Sequence, residues 1–118
     1  MALKVTNPTR GTVLAHHVRI ADTFWSRLRG LLGQRALARG HGLLIKPTSS
    51  VHTCFMLFPI DIAFLDEEGR VVRAFHALPP FRVAMGGRGA KVALELPAGT
   101  LRDTGTQEGD RLLIEGAP

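Results

Sequence analysis

The chain is short of several features whose presence would have pointed to a chemistry. Its 118 residues include one cysteine, Cys54, which excludes an internal disulfide and agrees with a reducing compartment. Aromatic residues are only 6% of the total. Trp25 and the phenylalanines fall mainly in apolar stripes expected to be core, so no stacking platform for bases is laid out. No apolar run approaches the ~20 residues needed to span a bilayer. Residues 1–8 lack the apolar stretch of a secretory signal, so the expectation is a cytoplasmic protein without a membrane span. Internal repeats, linkers and low-complexity tracts are absent too. With 45% hydrophobic residues, the remaining reading is a single domain over 1–118 built on one core.

Acidic residues are scarce in the first third. Residues 1–40 carry Lys4, Arg10, Arg19, Arg27, Arg29, Arg35 and Arg39 against Asp22 alone, a net of +6, which leaves −1 for residues 41–118. A local basic face of this kind attracts anions: nucleic acid, acidic lipid or a phosphorylated metabolite. The arginines are not interleaved with exposed aromatics, as single-strand binders require. Nucleic-acid binding through this third is therefore an alternative, placed behind a small anionic ligand or an acidic protein segment.

Hydrophobic period supplies the architecture. Residues 3–6 and 12–20 read as strands around a turn at 7–11. The period then changes, and Phe24, Trp25, Leu28, Leu31 and Leu32 share one side of a helix over about 22–33, with Asp22 or Thr23 as N-cap and Gly33 as stop. Arg27 and Arg29 border that stripe, where their stems cover core and their guanidiniums reach outward or toward a buried acid. A short strand follows at 43–45. Residues 60–65 and 70–75 form a hairpin around Asp66-Glu67-Glu68-Gly69, with Ile60, Ile62 and Phe64 on one face and Asp61 beside Ala63 and Leu65 on the other. Residues 84–90 read as a mobile loop bracketed by Arg82 and Lys91, 91–96 as a strand, 97–102 as one helical turn and 111–114 as the last strand. The fold class expected is mostly β (α+β): a compact antiparallel barrel-like sheet with one main amphipathic helix packed against it.

Residues 50–66 lay polar side chains into an apolar run. Burying His52 or Asp61 costs a few kcal/mol unless each finds a partner. Asp61 is expected to be buried and to pair with Arg27 or Arg29, fastening helix to sheet. A catalytic alternative, a small hydrolase or transferase, uses His52 as base with Cys54 as nucleophile or with Asp61 or Glu95 orienting it. Side chains at i and i+2 of a strand are about 6–7 Å apart, too far for direct activation of Cys54 by His52. No nucleophile elbow supports a triad, and the Gly86-Gly87-Arg88-Gly89 run lacks the lysine and following helix of a phosphate-binding loop. His16, His17, His41, His52 and His76 show no paired metal-ligand spacing, so no metal and no cofactor are expected. The candidate binding set is Arg27, Arg29, His52, Asp61, Arg82 and Arg88, serving a non-enzymatic module for a small anion or a partner protein.

Taken in order, Arg27-Leu28-Arg29-Gly30-Leu31-Leu32-Gly33, Gly42-Leu43-Leu44-Ile45, the run from His52 to Asp66, Leu94-Glu95-Leu96-Pro97-Ala98-Gly99 and Gly109-Asp110 resemble the domain of unknown function 192 family of bacteria and archaea. The matching positions are Arg27, Gly30, Leu31, His52, Met56, Asp61, Glu95, Gly99, Gly109 and Asp110, and they run through nearly the whole chain. The resemblance implies a small strand-rich domain with no assigned biochemical role. Its pattern does not require cysteine at position 54.

Overall fold

A computed structural model describes residues 3–22, 36–53 and 56–116. Nine strands and one short helix follow in chain order: β1 (Leu3–Asn7), β2 (Thr12–Ala21), β3 (His41–Ile45), β4 (Ser50–His52), β5 (Ile60–Leu65), β6 (Val71–Leu78), β7 (Val83–Met85), β8 (Val92–Pro97), α1 (Thr100–Asp103) and β9 (Leu113–Gly116). Seven strands make one sheet in the order β6-β5-β8-β3-β2-β1-β9, and β4 pairs with β7 as a separate ribbon.

Two parts of the expected architecture are corrected. The sheet is mixed, because β2 and β3 pair in parallel, His17 opposite His41 through Ala21 opposite Ile45. It is also not a closed barrel. Its edges, β6 and β9, are joined only near one end, by a single bridge between Arg70 and Arg111. The main helix expected over 22–33 lies, beyond Asp22, outside the described residues. Among those residues the only helix is α1, four residues long and entered from Gly99.

β5 explains why the sheet sits where it does. All six of its residues are buried, which requires a core on both faces. Ala63 and Leu65 join Leu94, Leu96, Leu101, Val5 and Val18 on one side. Ile60, Ile62 and Phe64 join Leu43, Ala93, Val51, Met56 and Ala84 on the other, where the ribbon lies against the sheet. The alternation read from the sequence therefore holds.

The stretch read as a mobile loop over 84–90 is more ordered than that. Val83–Met85 is strand β7, Ala84 and Ala90 are buried, and a Cβ built on Gly86 would lie 2.6 Å from the Phe64 ring. Glycine is required at position 86 because the backbone presses onto an aromatic ring, not because the chain must bend freely. Within 84–90 the exposed residues are Met85 and the turn at 87–89.

At the other end, a polar cluster locks the β1–β2 turn to the 104–110 segment. Asn7 is fully buried and donates to Oγ1 of Thr106 (3.2 Å) and Oδ2 of Asp110 (3.0 Å). Arg10 donates to both Asp110 oxygens, at 3.0 and 3.1 Å, and the Gln107 N–H to Oδ2 at 3.0 Å. Hydrogen bonding from Arg10, with help from Asn7 and Gln107, pulls the Asp110 carboxyl down to about 2. A depressed folded-state pKa contributes stability that is complete above the ordinary carboxylate range and is lost as pH falls toward 2. Asp110→Asn is expected to lower stability near neutrality by about 1–2 kcal/mol and to flatten the loss of stability between about pH 4 and 2. Urea denaturation across that range measures both, and an unchanged acid limb would contradict the assignment.

Candidate functional site

Asp61, the acid singled out in the sequence, is fully buried on β5. Its partners among the described residues are main-chain donors. Oδ1 accepts the backbone N–H of Ala77 at 2.8 Å, and Oδ2 accepts the backbone N–H of Leu101 at 2.9 Å. Ala77 lies at φ 49°, where the β5–β6 register slips between the Ile60 and Ile62 pairs, and Leu101 is the second residue of α1. The carboxylate thus holds a left-handed bulge of the edge strand and the start of a helix at once. That is a positioning role, filled by main-chain donors; the guanidiniums expected beside it, those of Arg27 and Arg29, lie outside the described residues.

Asp61 forms part of the floor of an open cleft of about 790 Å³, whose sides are set by Ala74 and His76 of β6, Arg102 of α1, and Gln107 and Glu108. At its rim, Oε2 of Glu108 accepts the N–H of Ala74 at 3.1 Å and so caps an edge donor of the sheet. His52, Arg82 and Arg88 do not line this cleft.

Those three residues belong to the ribbon. His52 is exposed on β4 and opposite Val83 of β7. Arg82 immediately precedes β7, where Thr53 fixes the backbone: its N–H donates to the Arg82 carbonyl (2.8 Å), and its Oγ1 accepts the Arg82 N–H (2.8 Å) and donates to the Pro79 carbonyl (2.7 Å). Arg88 stands in the exposed turn that follows. The structure therefore brings His52 and Arg82 together, with Arg88 nearby in sequence, and separates all three from Asp61 by lining. Arg27, Arg29 and Cys54 lie outside the described residues. No hydrogen bond links His52 to Asp61 or to Glu95 among the described residues.

Two features escaped the sequence reading. The outer face of the ribbon carries an apolar row along β7 beside the polar Ser50 and His52 of β4: Phe81, Val83 and Met85 are 67%, 66% and 56% exposed. Their spacing of two was the available signal, hidden because residues 84–90 were read as a loop. The other is Glu95 of β8, only 3% exposed, whose Oε1 has no partner among the described residues. Its strand neighbours are Leu43 and Ile62, and burial pushes its carboxyl up to about 7.

A mixed seven-stranded sheet carrying a two-stranded ribbon and a buried Asp–backbone clamp defines the structural class. The chain belongs to the domain of unknown function 192 family, described as Uncharacterized ACR, which it matches over residues 5–114. It is 34% identical to a UPF0127 protein of Thermococcus gammatolerans over 90% of this chain and 71% of that protein. A UPF0127 protein of Pyrococcus furiosus is also 34% identical, with 90% and 93% covered. A Novosphingobium aromaticivorans protein of unknown function shares the fold at a TM-score of 0.82 and 21% identity, over 94% of this chain and 82% of that one. A Sinorhizobium meliloti protein described as a candidate transcription regulator superposes at 0.79 with 25% identity, over 94% and 90%.

Proposed function

We propose that this chain is a non-enzymatic, single-domain accessory module that binds an acidic protein segment across the outer face of the β4–β7 ribbon. The observation that supports it is the exposed pair Val83 and Met85 on β7, apolar surface on a strand pair otherwise packed against the core. Charge argues for the partner's chemistry. No acidic residue occurs in 23–60 or in 69–94, whereas Arg73, Arg82, Arg88 and Lys91 do occur in the second stretch. Arg73 reaches the ribbon directly, donating from Nη1 to the Met85 carbonyl at 3.1 Å. A segment alternating apolar and carboxylate side chains would cover this pair and meet these cations at its rim.

The Sinorhizobium protein's description makes duplex DNA the competing occupant, and inorganic phosphate stands for a small anion. The test is fluorescence anisotropy with a labelled peptide alternating Glu with Leu and Phe, duplex DNA, and phosphate as competitor, at low and physiological salt. Peptide binding weakened at least about tenfold by the double variant Val83→Ser, Met85→Ser, with melting temperature unchanged, is the expected result. Binding of DNA alone, displacement of the peptide by millimolar phosphate, or no loss in the double variant would each refute it.

A further inference from the structure

A second surface is created by the parallel pairing of β2 and β3, and it has nothing to do with the ribbon. The register sets His17 beside His41, both are exposed, and their ring centres lie 5.1 Å apart with a 33° tilt. Two backbone contacts fix this arrangement. The Gly40 carbonyl accepts the N–H groups of both His16 (2.8 Å) and His17 (2.9 Å) just before the chain enters β3 at His41. On the other side of β2, the β1 register slips between Leu3–Val18 and Val5–Ala15, so His16 and His17 both occupy the bulge and both are exposed.

From these observations we infer that His17 and His41 form a binding site for a borderline divalent transition-metal ion, of the zinc, nickel or copper class. A zinc–imidazole nitrogen bond of about 2.0–2.1 Å places each ring centre about 3.2 Å from the ion, and two rings at a near-tetrahedral angle then lie about 5.2 Å apart. The observed separation of 5.1 Å is already that distance. Imidazole suits these ions, and two imidazoles leave the remaining positions to water. No group of three or more His, Cys, Asp or Glu side chains that could hold a metal occurs among the described residues, so this is a two-ligand site on an open surface. Lys4 is the cation opposite the bulge, and Glu115 is its register partner on β9. In the sequence the two histidines are far apart and carry no recognisable spacing. Only the parallel register unites them.

The test is isothermal titration of the full chain with Zn²⁺, and separately with Ni²⁺, at about pH 7.5, where unperturbed imidazole is mostly neutral. Saturable 1:1 binding is expected, weakened at least tenfold by His17→Gln and equally by His41→Gln, with His76→Gln as the unaffected control. Cε1–H proton resonances of His17 and His41 should shift together on titration. Affinity that survives the His17→Gln, His41→Gln double variant, or no saturable binding by the folded chain, would overturn the assignment.

Discussion

Glu95→Gln is expected to stabilise the protein at pH 8 while changing it little at pH 5. Glu95 sits in the central strand β8 between Leu43 and Ile62, with Oε1 unpartnered among the described residues. Removing a carboxylate from water without a compensating donor disfavours its charged form, and here burial raises the pKa from the ordinary 4.5 to about 7. The folded state therefore holds a proton that the unfolded state has already released between those two values. Unfolding in that window releases a proton, so stability falls with rising pH, by about 1.4 kcal/mol per unit, and the accumulated penalty reaches about 3 kcal/mol above pH 7. Glutamine keeps the shape and cannot ionise, so the variant should gain about 2–3 kcal/mol at pH 8.5 after allowance for a buried amide. Urea denaturation of both proteins at pH 5 and 8.5 measures the difference. Parallel stability curves at the two pH values would show that the Glu95 carboxylate finds a partner in solution.

The contrast between Glu95 and Asp61 shows which physical quantities a sequence carries. Asp61 lies in a strand that is apolar on both faces, so its burial was legible from period, whereas Glu95 shares its strand face with Lys91 and Ala93 and its burial was not. Asp61 was expected to meet an arginine because side-chain charges are the partners a sequence displays. The partners it has among the described residues, the N–H groups of Ala77 and Leu101, are carried by every non-proline residue and so leave no trace in residue type. The bulge that aims the Ala77 N–H at the carboxylate puts an alanine at positive φ, where glycine or asparagine would have announced it. Strand existence was legible wherever alternation was long, as in β2, β5 and β8. Strand partnership was not, since the parallel pairing of β2 with β3 and the short β4–β7 ribbon depend on contacts that no local pattern encodes. The same limit separated the candidate residues: His52 and Arg82 meet on the ribbon because β4 pairs with β7, whereas Asp61 faces the opposite core.

Asp61→Ala should be among the most damaging single changes in the described part of the chain, at about 3–5 kcal/mol. It removes the acceptor of two hydrogen bonds at once and leaves the Ala77 and Leu101 N–H groups without their partner beside the Leu101 and Ala63 core. Charge-assisted bonds to a buried carboxylate are the stronger class, and stranding each donor costs about 1–3 kcal/mol. Asp61→Asn is nearly isosteric but presents an NH₂ to one of two converging donors, so about 2–3 kcal/mol of the loss should remain. The two links can be separated, because amide exchange at Ala77 reports the bulge and at Leu101 the helix start, and both should accelerate in either variant. Ala77→Gly gives the complementary sign: with φ at 49°, glycine relieves about 1 kcal/mol of backbone strain while keeping the N–H that Asp61 accepts. Because that strain is tolerated only while the carboxylate holds the bulge, Ala77→Gly should help the parent chain more than it helps Asp61→Ala, where an unheld bulge can relax. A double-mutant cycle with purely additive effects would show that the carboxylate does not hold the edge strand in place.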